Sequence, residues 1–120
     1  MKKSNYKTGH FAEKVALALL LCKGYFPVAM NYVTGRGTGA SEVDLIVKKT
    51  KTLVFVEVKK RKNLTTSAEA ITSKSQQRIA RAAQAFLRKH PAYQNYQIRF
   101  DAVLFQKSFW PHHIKDAWRL

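Results

Sequence analysis

The sequence predicts an α/β fold in one domain, a mixed central β-sheet with helices on its flanks. Three observations predict it. The chain has 120 residues, a length suited to a single core. Two stretches carry the three-to-four-residue apolar spacing of helices, and short runs rich in Val, Ile, Leu and Phe lie between and after them. Their order is helix, strand, strand, strand, helix, strand, with a last short strand or turn, which layers naturally as helices against a sheet.

Residues 9–23 read as the first helix. Ala12, Val15, Ala16, Leu19 and Leu20 form its stripe and Gly24 stands where it stops. Leu17, Ala18, Leu21 and Cys22 are apolar too, so the helix is expected to be covered on most sides. The run is too short to cross a bilayer, and Lys23-Gly24-Tyr25 follows it rather than a small-residue cleavage site. Cys22 is the sole cysteine; it can make no internal disulfide, behaves as a small hydrophobe, and fits a reducing cytoplasm.

Residues 25–33 read as an extended segment that Pro27 pushes to a sheet edge. Gly35, Gly37 and Gly39 mark a loop over 34–41. It opens into a strand rather than a helix, unlike phosphate-binding glycine loops. Residues 42–47 and 53–58 read as a hairpin. A polar stretch, 63–72, reads as loop with a helical turn near 68–71. Residues 73–90 read as the second helix, with Ser73 and Gln76 at capping-box spacing, Ile79, Ala82, Ala83, Phe86 and Leu87 on its apolar face, and Pro91 after it. In 97–105, Ile98, Phe100, Ala102 and Leu104 alternate with Arg99 and Asp101. The tail, 111–120, is expected to pack Ile114 and Trp118.

The chain carries 22 Lys+Arg against 7 Asp+Glu, a formal charge of +15. So basic a chain repels itself, and polyanions are its natural partners, nucleic acid first. No basic amphipathic membrane helix or lipidation motif stands out. The second helix places Lys74, Arg78, Arg81 and Arg88 on one flank, and Lys59, Lys60, Arg61 and Lys62 form another basic cluster. Both suit phosphate contacts, although a charge run on a helix is also an ordinary solvated face. No base-reading motif is present, so shape is expected to matter more than sequence.

Of the seven acids, Glu42, Asp44 and Glu57 fall in the hairpin. Alternation puts Glu42 and Asp44 on one face, with Val43, Leu45 and Val47 on the other; Leu53, Phe55, Glu57 and Lys59 share a face of the next strand. If Lys48 sits opposite Leu53, closing a four-residue turn, Asp44 falls opposite Glu57 and Glu42 opposite Lys59. Such neighbours have β-carbons about 4.5–5.5 Å apart. Two carboxylates there repel unless a cation lies between them, and magnesium binds through one or two carboxylates and water. Lys59 would then hold a water or a scissile phosphate. Ordinary cross-hairpin ion pairs, worth about 0–1 kcal/mol, are the plainer reading. Glu13 either points into this region or is a first-turn acid favoured by the helix dipole. His10, His90, His112 and His113 have no metal-ligand spacing.

Gly9 to Glu13, Gly24-Tyr25, Asn31, Ser41-Glu42-Val43-Asp44-Leu45-Ile46, Val54-Phe55-Val56-Glu57-Val58-Lys59, Lys74, Arg78, Arg99-Phe100-Asp101 and the closing Ile114 to Trp118 stand in the order of one family. The chain resembles the YraN-like family of small bacterial proteins, expected to be endonucleases related to archaeal Holliday junction resolvases. The resemblance implies the restriction-endonuclease-like three-layer sandwich. It implies catalytic Asp44, Glu57 and Lys59, magnesium (or manganese) held by Glu13, Asp44, Glu57 and the Val58 carbonyl, and a basic position at Lys74; the two basic clusters add expected nucleic-acid contacts at Lys60, Arg61, Arg78 and Arg81. Ala12 and Ser41 stand where the family usually has glycine.

The expected function is therefore metal-dependent hydrolysis of phosphodiester bonds in DNA, ahead of RNA, in branched or structured substrates. The alternatives are a non-catalytic nucleic-acid-binding module of the same fold, or a protein whose basic face meets an acidic protein or ribosomal RNA. A homodimer suits junction cleavage, with Phe109, Trp110 and Trp118 as apolar interface candidates.

Overall fold

Four consecutive residues, Leu53, Val54, Phe55 and Val56, are fully buried, which requires that their strand be covered on both faces. The computed structural model describes residues 2–34, 41–60, 71–105 and 110–119, and it supplies that cover. The order is α1 (Lys2–Cys22), β1 (Phe26–Thr34), β2 (Ser41–Lys49), β3 (Thr52–Lys60), α2 (Ser73–Lys89), a 3-10 turn (Pro91–Tyr93), β4 (Gln97–Phe105) and β5 (Pro111–Ile114). The strands form one sheet in the order β1-β2-β3-β4-β5. β3 and β4 pair parallel and the other neighbours antiparallel, so the sheet is mixed. The parallel pair needs a long crossover, and α2 lies within it.

One core lies between α2 and the sheet, where Ile79, Ala82 and Phe86 pack on Ile46, Phe55 and Phe100. The other lies between α1 and the opposite face, where Ala12, Ala16 and Leu20 pack on Val47, Val54 and Val103. The expected α/β layering is present. α1 starts earlier than expected and buries a single face rather than most sides. Phe11 and Leu21 are exposed large hydrophobics, and Cys22 is exposed rather than buried. The close-packed side is the stripe Ala12, Ala16 and Leu20, four residues apart, and Phe11 and Leu21 find no layer beyond it. Among the described residues, no helix is long and apolar enough to cross a membrane.

Pro27 sits on the edge strand as expected, and the β1–β2 register shifts between Pro27 and Ala29. Lys48 does pair with Leu53, but the ladder runs one pair further, to Lys49–Thr52. The turn is thus two residues rather than four, with Thr50 at φ 55°. The cap of α2 is Thr72, not Ser73: its side chain accepts from the Ser75 amide at 3.1 Å. Trp118 is 7% exposed and stacks on Phe100 at 5.3 Å, which removes it as an interface residue. Phe109 lies outside the described residues, as does most of the expected turn at 68–71.

Asp101 is a buried acid on β4. It is 0% exposed, and its acceptors are filled by Arg99 at two points of 2.8 Å, His113 Nε2 at 2.8 Å and the Asp116 amide at 3.0 Å. Arg99 also donates to the Tyr25 hydroxyl at 2.7 Å. Burial would raise the Asp101 pKa, but the hydrogen bonds from His113, Arg99 and the amide outweigh it and hold the carboxyl below its ordinary value. This cluster ties α1's end, β4 and β5 together. Asp101→Ala leaves those donors buried without an acceptor and is expected to cost about 3 kcal/mol, read from denaturant unfolding. Because the folded pKa is depressed, the contribution of Asp101 is present above the unfolded value and is lost as pH falls through the folded one.

Candidate functional site

The β2–β3 ladder ends at the pair Leu45–Val56. Beyond it, the next free amide on β3, that of Val58, donates to Asp44 Oδ2 at 2.8 Å. A side-chain carboxylate thus stands in for a strand carbonyl. The side-chain alternation of β2 breaks at the same place. Val43 belongs to the α2-side core, while Leu45 belongs to the α1-side core. The expected single face for Val43, Leu45 and Val47 is therefore corrected, and the reason is this departure from a regular ladder at Asp44.

The parting strands open a cavity of about 440 Å³, lined by Ala12, Glu13, Glu42, Asp44, Glu57, Val58, Lys59, Lys60, Arg78 and Ile79. Each element brings its residue for a local reason. Glu13 follows Ala12 on the buried side of α1. Glu57 and Lys59 continue the Leu53–Phe55 face of β3 past the core. Arg78 precedes Ile79, which anchors α2 in the core.

Glu57 is 7% exposed, with Lys59 Nζ 3.3 Å from its Oε2. Burial, then the charge of Asp44, push its pKa from 4.5 to about 8, against the pull of Lys59. Burial and then Asp44 also raise Glu13, from 4.5 to about 7, against a hydrogen bond from Asn31. Asp44 is thus the hub, interacting with both glutamates and with the β3 backbone. The site retains protons near neutral pH because its carboxylates are partly desolvated and repel one another.

Of the expected site residues, the fold brings together Glu13, Asp44, Glu57, Val58, Lys59, Lys60 and Arg78. Arg81 sits just outside, donating to Ser41 Oγ at 3.3 Å. Lys74 is exposed on the first turn of α2 and does not line the cavity. Arg61 lies outside the described residues. Among the described residues, no group of three or more His, Cys, Asp or Glu is arranged to hold a metal ion.

Asn31 is the site residue that sequence reasoning did not assign. It lies on β1 between the pairs Met30–Leu45 and Tyr32–Val43, at φ 51°, and hydrogen-bonds Glu13. Asparagine is among the few residues that visit the left-handed region, so an Asn inside an apolar strand was the available signal.

The family described as "Uncharacterised protein family UPF0102" matches residues 12–105, a stretch that holds every cavity residue named above. A UPF0102 protein of Paramagnetospirillum magneticum is 43% identical over 114 residues, covering 95% of this chain and 88% of the relative. One from Methylorubrum extorquens is 37% identical over 119 residues, covering 99% and 90%. One from Nitrobacter winogradskyi is 39% identical over 117 residues, covering 98% and 96%.

The raised glutamates set a sign for stability. Between 4.5 and about 8 Glu57 is protonated when folded and ionised when unfolded, so the unfolded state binds fewer protons and stability falls as pH rises through that window. Glu57→Gln removes this term. Its thermal midpoint, measured without divalent ions, is expected to exceed that of the unaltered protein at pH 8 by roughly 5 °C, with little difference at pH 4.5.

Proposed function

The chain belongs to the UPF0102 family, and from the chemistry of its cavity we propose that it is a divalent-metal-dependent nuclease that hydrolyses phosphodiester bonds in DNA. The observation that carries this reading is the meeting of Asp44 and Glu57, two mutually repelling carboxylates, beside Lys59 at an open cavity rimmed by Lys60 and Arg78. A surface ion pair needs no such burial of like charge, whereas a hard cation supplies the missing counter-charge.

The donor set fits magnesium or manganese. Asp44, Glu57 and the Val58 carbonyl offer oxygens only, and magnesium takes one or two carboxylates and keeps several waters. Glu13 sits behind Asp44 and supports the same charge. The ion would supply Lewis acidity, making the attacking water more acidic and offsetting charge on the phosphate.

The protein's own groups do the rest. Glu57 and Glu13 would have to give up their retained protons to hold such an ion, so its binding would strengthen as pH rises through the range of about 7 to 8. Lys59 Nζ, held against Glu57, stabilises the phosphoryl oxygens as negative charge builds. Lys60, Arg78 and Arg81 hold the flanking backbone. The resemblance to junction resolvases extends the reading to branched DNA, for which two copies of the site are required; Trp110, 73% exposed, is the remaining described candidate for the contact between copies.

Linear, single-stranded, flapped and four-way-junction DNA incubated with magnesium, manganese or chelator tests the proposal. Metal-dependent cutting by the unaltered protein, reduced at least about a hundredfold by Glu57→Ala and by Lys59→Ala, is the expected result. Undiminished cutting by Glu57→Ala would overturn it, and salt-sensitive binding without cutting would favour a binding module.

A further inference from the structure

The end of the sheet away from the cavity carries a cluster of lysines and tyrosines. The turn between β2 and β3 and the C-terminal end of α2 meet at the pole away from the acidic cavity. Lys48 Nζ lies 5.7 Å from the Tyr93 ring centre and Lys51 Nζ 5.7 Å from that of Tyr96. The two tyrosines contact each other edge to face at 5.0 Å, and Tyr93 packs on Phe86 of α2 at 5.8 Å. Arg88 and Lys89 close the last turn of α2 beside them.

Charge separates this pole from the rest of the molecule. Glu13, Glu42, Asp44 and Glu57 line the cavity, Asp101 and Asp116 are engaged beside β4 and β5, and Glu69 lies outside the described residues. Among the described residues, no carboxylate pairs with Lys48 or Lys51. Arg88 and Lys89 complement the C-terminal end of the α2 dipole, but the hairpin lysines have no such role. A ring face restrains an ammonium without neutralising it, so these two charges are both positioned and available.

The pole is also in line with the cavity. Glu57 and Lys51 are six residues apart on one strand and its turn, about 20 Å at strand rise. Arg78 at the cavity and Arg88 in the last turn of α2 place basic groups at both ends of that helix. A duplex advances 3.4 Å per base pair, so the separation matches about six base pairs.

We propose that the hairpin pole formed by Lys48, Lys51, Tyr93 and Tyr96 is a second nucleic-acid contact, binding the phosphate backbone of the duplex arm about six base pairs from the cavity. The inference rests on the nuclease reading for the direction of the arm, but it concerns binding and not cutting.

Fluorescence anisotropy in chelator tests it, with a 20-base-pair duplex and a stem-loop of about four base pairs, too short to span both ends. Lys51→Glu is compared with Lys115→Glu, the same charge change at an exposed position near β5. The expected result is that Lys51→Glu weakens the long duplex about tenfold and lowers its log–log salt slope by about one or more. The stem-loop is expected to change little, and Lys115→Glu to have a much smaller effect on both. Equal losses for the two variants would reduce the effect to net charge and overturn the inference, as would a loss of the same size on the stem-loop. No loss with Lys51→Glu, in a protein that cuts with magnesium, sinks the pole and leaves the nuclease. Lys51-dependent binding without any cutting sinks the nuclease and leaves the pole.

Discussion

The hydrogen bond from the Val58 amide to the Asp44 carboxylate is the constraint on which the site depends. Two antiparallel strands that stayed paired would present Asp44 and Glu57 as neighbours on a flat, solvated surface. Instead the ladder stops at Leu45–Val56, and a side chain takes over the acceptor role that a strand carbonyl would have filled. The parting of β2 from β3 opens the cavity, and the same bond fixes Asp44 at its centre. Backbone satisfaction and placement of the Asp44 carboxylate in the cavity are thus accomplished by one contact.

A second consequence is electrostatic. Asp44 cannot both hold the β3 backbone and stand clear of its neighbours, so Glu13 and Glu57 are brought into its field while losing water. Both respond by holding protons near neutrality. In a chain with a +15 formal charge, four of the few acids are grouped around one cavity, and two of them are held largely protonated.

The two helices supply the rigidity that this needs. α1 anchors Glu13 through Ala12, Ala16 and Leu20, and α2 anchors Arg78 through Ile79, Ala82 and Phe86. Away from the cavity, Asp101 shows the opposite treatment of a buried acid. There every acceptor is filled by Arg99, His113 and the Asp116 amide, and the carboxyl holds its charge. Two buried carboxylate environments in one sheet are thus driven in opposite directions, one by donors and the other by like charge.

Much of this was legible in the residues themselves. Helix and strand periodicity, the Lys48–Leu53 register and the clustering of Glu42, Asp44, Glu57 and Lys59 are local patterns, because burial of one face imposes a period that the chain must carry. Four features were not legible. The alternation break at Asp44, the left-handed Asn31 that contacts Glu13, the burial of Asp101 against His113 and the exposure of Cys22 each depend on what approaches from elsewhere in the chain. The Val58 amide is fourteen residues from Asp44, and His113 is twelve from Asp101. Which residues seek a core, and in what order the layers form, is written in the local periods of the chain. Which polar groups find partners and which remain in conflict is settled only when distant segments meet, because desolvation and Coulomb energies depend on distances that no local period encodes.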